Sequence, residues 1–333
     1  MKKFLVKILA GGVVLLLLLL CLNWAYISTD YYKNLNDMGK FRNVPEHIDV
    51  ANFGASHSAC AFNWDNYTQF SGMNMALGSQ TLVYDEALLN YYLPHFDQNS
   101  TVIIEIMYKS LYETEPNTVP YGTNITRYYQ ILNKDYIKQW NLEDAINYQY
   151  IPVLGNRMNA LPKIFEEWVL HKKEQSELEK QQSQQQDLTG EPTQVLDGWE
   201  KDAMVAEGKR RAASFMEQSG NQEHGEQYQA LIRMIEKCQA LGIQVVLVTA
   251  PILPCNYDGF SDSFLEKFYK DINEISEKYH IDYFDYSQDE RFLQDYRMFS
   301  DTDHLNGYGS QYFTEQFLED HADLFSFYER EGK

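Results

Sequence analysis

The amino-acid sequence predicts an α/β fold in which a parallel sheet is covered by helices on both faces, preceded by an N-terminal apolar helix. Three observations support this prediction. Short β-branched runs recur along the chain, amphipathic helical patterns lie between them, and the most apolar segment stands at the N-terminus. Strands that alternate with helices of this length are typical of parallel sheets, because each crossover helix covers one face of the sheet.

The first element, over residues 1–27, is predicted to be a transmembrane signal anchor. Its start is basic, the stretch from Ile8 to Leu22 is apolar, and the segment counted from Phe4 to Ile27 is long enough to span roughly 30 Å of hydrocarbon. The alternative is a cleaved signal peptide, but no small-x-small cleavage site follows, and Trp24 suits a membrane interface. Because the basic residues precede the span, we predict a single-pass membrane protein with an extracytoplasmic C-terminal domain.

A polar juxtamembrane connector over residues 28–45 follows the anchor, and residues 46–330 are predicted to form one domain. Strands are predicted over the apolar runs 47–53, 101–107, 244–250 and 281–285. Helices are predicted over the periodic segments 81–92, 226–241, 261–279 and 309–325. Gly242 follows the second of these helices and is a plausible C-terminal stop.

The middle of the chain, from about residue 110 to 220, is predicted to be an insertion between two units of the sheet. Within it, residues 171–194 are rich in glutamine and almost free of large apolar side chains. Such a segment buries too little apolar surface to offset the entropy lost on ordering, so we expect it to be mobile or a solvated helix. Its role as a lid, a partner surface or a spacer stays open.

Composition limits the partners and cofactors. The net charge of −20 argues against nucleic acid as a partner. The 25 tyrosines suit the faces of sugars, but they equally suit ordinary packing with a polar tip at the surface. Cys60, Cys238 and Cys255 follow no metal pattern and imply no disulfide framework, although one bridge would be feasible. No nucleotide-binding or zinc motif is present, so no cofactor is predicted.

Two short motifs carry the candidate chemistry. Residues 54–58 read Gly-Ala-Ser-His-Ser directly after the first predicted strand, and residues 301–304 read Asp-Thr-Asp-His before the last predicted helix. Either motif alone is weak evidence for a catalytic role. For the first motif the reason is that a turn glycine followed by a serine that caps a helix is common. Together they supply a nucleophilic triad, because a histidine can accept the serine proton while an acid holds the imidazole in the right tautomer.

The acid of this triad is predicted to be Asp301, which lies three residues from His304 and can share one turn with it. Asp303 is the alternative acid, but its position next to His304 in the sequence is expected to point its side chain elsewhere. The spacing of Asp301 and Asp303 is also that of the first two ligands of a calcium-binding loop. The residues that follow lack its glycine and its closing glutamate, so no metal is predicted.

At these motifs the sequence resembles the SGNH (GDSL-like) hydrolase superfamily, particularly its membrane-anchored extracytoplasmic branch related to DltD-type proteins and polysaccharide O-acetyltransferases. The resemblance rests on residues 53–58, 74–80 and 300–309. It implies a three-layer α/β/α flavodoxin-like fold. It also implies that Ser56 is the nucleophile, His304 the general base and Asp301 the orienting acid. The backbone N–H groups of Ser56 and Gly78 would form the oxyanion hole.

The sequence departs from the family pattern after the strand at 101–107, where no asparagine is available as a further oxyanion donor. Transfer to an acceptor other than water therefore becomes an alternative to hydrolysis. Gln80 or Lys109 is a candidate to replace the missing donor. His57 follows the serine and either lines the site or is an ordinary packed or solvated histidine.

We therefore predict an extracytoplasmic serine esterase or O-acyltransferase that works through a covalent acyl-serine intermediate. The resemblance implies acyl esters, foremost acetyl esters, of a cell-envelope or exported polysaccharide as substrate. It also implies an MBOAT-type membrane acyltransferase as partner, while the N-terminal helix implies contact with the lipid bilayer. Two alternatives stay open: a DltD-like, partner-dependent protein that transfers D-alanyl groups, and a non-catalytic envelope scaffold.

Overall fold

The strands form one parallel sheet in a computed structural model of the protein, which describes residues 1–113, 125–172, 180, 188, 190–219, 224–325 and 327. Within those residues the strands are β1 Val50–Phe53, β2 Gly72–Asn74, β3 Thr101–Glu105, β4 Gln244–Thr249 and β5 Asp282–Asp285. Their order across the sheet is β2-β1-β3-β4-β5, and all neighbours are parallel. This is the flavodoxin-like order, which confirms the predicted fold class.

Helices connect and flank these strands. The longer ones are α1 Lys2–Ile27, α2 Asp30–Asn34, α3 Ser56–Ala61, α4 Leu82–Tyr92, α5 Arg157–Trp168, α6 Lys201–Gln218, α7 Glu226–Ala240, α8 Asp262–Tyr279 and α9 Gly307–Asp320. Short helical turns lie at Leu35–Arg42, Leu93–His95, Arg127–Gln130, Leu142–Asp144, Ala145–Tyr150, Pro152–Gly155, Pro254–Tyr257, Glu290–Leu293, Tyr296–Met298 and Ala322–Leu324. The predicted helices are therefore found as α4, α7, α8 and α9, whereas α6 was not predicted.

The direction of the chain reverses at the centre of the sheet. From β1 the chain moves to one edge to form β2, and from β3 onwards it moves towards the other edge. Right-handed crossovers therefore place α3 on one face of the sheet and α4, α7 and α8 on the opposite face. In agreement with this, α3 packs against α9 while α4 packs against α7. Ligands of such sheets bind beyond the carboxyl ends of the strands at the point of reversal, here between β1 and β3.

A buried asparagine ties the short edge strand to the sheet. Asn52, in β1, donates through Nδ2 to Ser58 Oγ at 2.9 Å and to Asn74 Oδ1 at 3.1 Å. Its Oδ1 accepts a hydrogen bond from Trp64 Nε1 at 2.8 Å. A fully buried amide must find such partners, because an unpaired polar group costs free energy. These bonds hold α3 and the end of β2 against β1.

The chain divides into two compact units, Met1–Asn43 with Tyr121–Glu177, and Val44–Pro120 with Leu178–Lys333. The sheet and all its strands belong to the second unit. Part of the predicted insertion therefore groups with the anchor and connector instead of with residues 46–330. Most of the glutamine-rich segment 171–194 lies outside the described residues, so its mobility stays a prediction.

Apolar packing between the end of α1 and part of the insertion holds the first unit together. Helix α1 is long and apolar enough to cross a membrane, and none of its most apolar stretch is buried. Its last turns pack on the insertion, where Tyr26, Val153 and Ala160 are buried in one cluster. Asn23 Oδ1 in α1 also accepts a hydrogen bond from the backbone N–H of Val153 at 3.1 Å.

The cysteines are all free, and all but Cys21 are buried.

A first prediction concerns Gly208, where α6 packs on the short helix Pro254–Tyr257. A Cβ atom at Gly208 would lie 2.6 Å from the backbone C and O atoms of Cys255. We expect Gly208→Ala to lower the free energy of unfolding by about 1–3 kcal/mol through overpacking. At a solvent-exposed position inside a helix, the same change from glycine to alanine would raise the free energy of unfolding by about 1 kcal/mol. The measurement is unfolding of the full-length protein in detergent. The exposed neighbour Lys209→Ala is the control, and a stabilised Gly208→Ala variant would contradict the prediction.

Candidate active site

Ser56 is presented by a sharp turn at the end of β1. Gly54 forms this turn with φ of 135°, and its N–H donates to Asp85 Oδ1 at 2.9 Å. A Cβ atom at Gly54 would lie 2.9 Å from Ser58 Cβ and 3.1 Å from Glu105 Oε2. Glycine is therefore required both by the backbone conformation and by the close approach. The turn lets α3 begin at Ser56, beyond the carboxyl end of β1.

His304 reaches Ser56 from the other end of the chain. It lies in the loop before α9, which is closed by a bridge between Phe299 and Leu305. His304 Nε2 is 2.8 Å from Ser56 Oγ, and His304 Nδ1 is 3.0 and 3.1 Å from the two carboxylate oxygens of Asp301. Asp301 also accepts the backbone N–H of His304 at 2.9 Å. The structure thus joins the three predicted side chains in one hydrogen-bonded line.

Asp303 does not point away, so that expectation was wrong. Its carboxylate is buried, with Oδ1 3.2 Å from His304 Nδ1 and Oδ2 3.3 Å from His57 Nε2. The loop curls so that both acids of the motif face the Nδ1 side of the His304 ring. Asp301 nevertheless remains the better orienting acid, because it hydrogen-bonds both the ring and the backbone N–H of His304.

Arg211, which the sequence analysis missed, joins these two acids. Its Nη2 donates to Asp301 Oδ2 at 2.9 Å, and its Nη1 donates to Asp303 Oδ1. Its Nε donates to Glu207 Oε1 at 3.0 Å within α6. The planar guanidinium therefore fixes both carboxylates at once. No local pattern marks Arg211, because it lies in a helix of the predicted insertion, far from both motifs.

The protonation of the site follows from these charges. Burial alone would lower the pKa of His304, but the charge of Asp303 and the hydrogen bonds to Asp301 and Asp303 raise this pKa well above its usual value. For Asp303, burial acts to raise the pKa, and the neighbouring His304 and His57 outweigh it and hold the pKa well below the usual range. The resting site therefore contains a protonated His304 beside an ionised Asp303.

His57 packs against the base instead of facing solvent. Its ring stacks on the His304 ring, with centroids 4.5 Å apart and planes at 16°. Phe215 meets it edge-on at 5.9 Å. Burial and the charge of His304 lower the pKa of His57, so this ring is neutral. His57 therefore acts as a flat support for the His304 ring.

One group of these side chains could be read as a metal site. The candidate ligand atoms of His57, Asp303 and His304 all lie within 4.8 Å of one another. Arg211, however, already binds the Asp303 carboxylate, and its permanent charge would repel a cation at this point. The arrangement fits the transfer of a proton better than the binding of a metal.

The predicted oxyanion residues have different environments. Gly78 is exposed, and a Cβ atom there would meet nothing within 4 Å, so protein packing does not require glycine at this position. The open side leaves room for a ligand. Gln80 is buried, and its Nε2 donates to Asp85 Oδ1 at 2.7 Å and to the Met75 carbonyl at 3.0 Å. Gln80 thus supports the Gly54 turn through Asp85, and these contacts argue against Gln80 as an oxyanion donor.

Lys109 is likewise engaged by protein groups. Its Nζ donates to Glu113 Oε1 and to Gln218 Oε1, the latter at 3.3 Å, and it lies 5.1 Å from the centre of the Phe215 ring. These contacts argue against Lys109 as a replacement for the missing asparagine.

Glu105, at the end of β3, was not predicted as part of the site. Burial, and then the charge of Asp85, raise the pKa of Glu105 to about 8, so its carboxyl is neutral at pH 7.

A second prediction follows from the raised pKa of His304. A protonated imidazole cannot accept the serine proton, so the rate at which a fluorophosphonate labels Ser56 should rise with pH through that pKa. Below the pKa the neutral fraction, and with it the rate, falls about tenfold for each pH unit. Asp303→Asn removes the largest charge that raises this pKa, so the profile should move to lower pH. A labelling rate that does not depend on pH would contradict the assignment of His304 as the base.

A third prediction separates the two acids. Asp301→Asn should lower the labelling rate of Ser56 by about 10³–10⁴ even at the most favourable pH, because the amide stabilises the wrong tautomer of the imidazole. Asp303→Asn should keep a substantial rate at its own best pH. The measurement is the complete pH profile of labelling for both variants. The reverse ranking would make Asp303 the orienting acid.

Comparison with known proteins completes this description. The family model described as DltD protein matches residues 123–318, which is more than half of the 333 residues. The match includes Arg211, Asp301 and His304, whereas Ser56 lies before its start. No curated protein matches the chain. With an SGNH-type sheet, an N-terminal apolar helix and this family match, the chain belongs to the DltD family.

Proposed function

We propose that the protein is a membrane-anchored acyl-transferring enzyme that forms a covalent ester at Ser56. The observation that carries this proposal is the hydrogen-bonded line from Ser56 Oγ through His304 to Asp301, with contacts of 2.8 and 3.0 Å. Ser56 and His304, whose side chains meet in this line, are 248 residues apart in sequence. A fold that kept only a scaffold role would have no physical reason to keep a buried, charge-balanced base beside a partly exposed serine.

In the first step, His304 in its neutral form, which is populated as pH rises through its raised pKa, takes the serine proton at Nε2 while Ser56 Oγ attacks the carbonyl carbon of an acyl donor. Asp301 holds the Nδ1–H of the imidazolium that forms. When the tetrahedral intermediate collapses, the bond to the leaving oxygen or sulfur breaks and His304 returns the proton to the leaving group. In the second step, His304 takes a proton from the acceptor hydroxyl, which attacks the acyl-Ser56 ester. His304 then gives this proton to Ser56 Oγ as the acyl–serine bond breaks.

The negative charge of each tetrahedral intermediate needs hydrogen-bond donors. We propose the backbone N–H groups of Ser56 and Gly78 for this role, and the open space beside Gly78 would accommodate the acyl group. Among the residues that the structure describes, neither candidate for the third donor of the wider superfamily is available, because Gln80 and Lys109 bond to other protein groups. Fewer donors favour a slow reaction with a bound acceptor hydroxyl over efficient hydrolysis by water.

The nature of the acyl group divides the proposal into two candidates. An acetyl or similar small acyl ester of an envelope or exported polysaccharide follows from the motifs. A D-alanyl group handed between carriers is favoured by the family match. In either case we propose that the catalytic part lies outside the cytoplasm and works with a membrane acyltransferase of the MBOAT type. The basic residues in the first turns of α1, before its apolar stretch, support this orientation.

The fourth prediction tests the acyl-serine mechanism in the full-length protein in detergent. A fluorophosphonate probe should label the wild type, whereas Ser56→Ala should abolish labelling and His304→Ala should reduce it to background. Ser263→Ala, at an exposed serine outside the site, is the matched control and should be labelled like the wild type. A folded wild type that is not labelled at any pH would favour the scaffold alternative.

The same preparation can identify the acyl group. Incubation with acetyl and D-alanyl thioesters, followed by intact-mass analysis, should show one stable adduct that is lost in Ser56→Ala. The mass of the adduct decides between the two candidates. If neither donor acylates a protein that the probe does label, Ser56 is reactive and the donor belongs to a different acyl class.

A further inference from the structure

Helix α5 carries a row of exposed apolar side chains. Met158, Leu161, Phe165 and Trp168 follow one another at spacings of three, four and three residues, which places them on one face of the helix. We call this row the α5 stripe. All four residues are exposed, with Met158 83% and Leu161 61% accessible. A contiguous apolar surface of this kind on a protein needs an occupant.

The stripe is not the face by which α5 packs into its own unit. That packing uses Ala160, which is buried, and Ile164, which contacts the cluster containing Tyr26 of α1 and Val153. Helix α5 is therefore apolar on two sides, one turned to the protein and the other turned outward. A helix that met only water on its outward side would carry polar residues there.

The position of α5 identifies what the stripe meets. The Trp168 ring contacts the Trp24 ring of α1 edge-on, with centroids 5.7 Å apart. The Glu167 carboxylate accepts the backbone N–H groups of Asp30 and Tyr31, at 2.6 and 2.7 Å, just after α1 ends. The C-terminal end of α5 is thus fixed to the last turn of α1.

The depth of the last turn of α1 in the membrane follows from the length of α1. About 20 residues span the hydrocarbon core, so a span that starts near Ile8 ends near Ile27. Trp24 and Trp168 then lie at the level of the lipid headgroups, where tryptophan is enriched. The exposed leucines of α1 before this point form a surface that only lipid would cover, and the α5 stripe lies next to the end of that surface.

We propose that the α5 stripe is a second membrane-binding surface, which lies in the bilayer interface at the C-terminal end of α1. The occupant is lipid, because the stripe is next to the lipid-facing surface of α1 and ends in an interfacial tryptophan pair. Two attachments, one spanning and one interfacial, limit the tilt of the first unit relative to the membrane plane. The proposal depends on α1 spanning the membrane and is independent of the chemistry at Ser56.

The test uses spin labels in the full-length protein, reconstituted without any other protein in nanodiscs of phosphatidylcholine and phosphatidylglycerol. Cys21→Ser first removes the exposed cysteine of the chain, and the three buried thiols are left in place. Leu161→Cys and Phe165→Cys carry the label on the stripe. Asn159→Cys is the matched control, since Asn159 is exposed and lies on a different face of the same helix.

We expect the labels at positions 161 and 165 to collide severalfold more often with oxygen, which dissolves in lipid, than with a water-soluble nickel chelate. The label at position 159 should show the opposite preference. All three sites are exposed, so the substitutions leave no cavity in the fold. If the stripe labels are as accessible to the nickel chelate as the label at 159, the proposal fails. Protection of the stripe only after a membrane acyltransferase is added would also overturn it, and would identify a protein-docking surface.

Discussion

The carboxylate of Asp303 is fully buried, and a buried anion must be balanced by positive charge or hydrogen bonds. Here the positive charge comes from two separate parts of the chain, Arg211 in α6 and His304 in the loop before α9, while the neutral His57 ring packs beside the carboxylate. Ionic contacts therefore hold the insertion helix and the C-terminal loop together. The sheet alone brings the ends of β1 and β3 close, but the alignment of His304 with Ser56 depends on this cluster.

The sequence was sufficient for the fold class because buried parallel strands are continuous β-branched runs, and β3 and β4 have that pattern, while β1 and β5 are short runs that lie between helical segments. β2 was missed, since Gly72-Met73-Asn74 is too short to show any periodicity. It is a strand because Asn52 and the backbone of β1 pair with it. Helix α6 was missed for a related reason. Its buried contacts, such as Gly208 against Cys255, are with a distant part of the chain and leave no local signal.

In the candidate site, too, the features with a local sequence signal could be predicted, and those set by contacts between distant residues could not. The positions of Ser56, Asp301 and His304 could be predicted because turn residues and a short acid–histidine spacing are local features. The direction of the Asp303 side chain and its contact with Arg211, 92 residues away in sequence, are tertiary. Each is decided by which opposite charge or donor the fold brings within about 3 Å, and that information is spread over the whole chain.

The 248 residues between Ser56 and His304 also set an order of events during biosynthesis. At about 5–20 residues per second, the serine leaves the ribosome roughly 10–50 s before its base does. Throughout that interval Ser56 has no imidazole within hydrogen-bond distance of its hydroxyl. A chain that stops before residue 304 would therefore carry Ser56 without the side chain that contacts its Oγ.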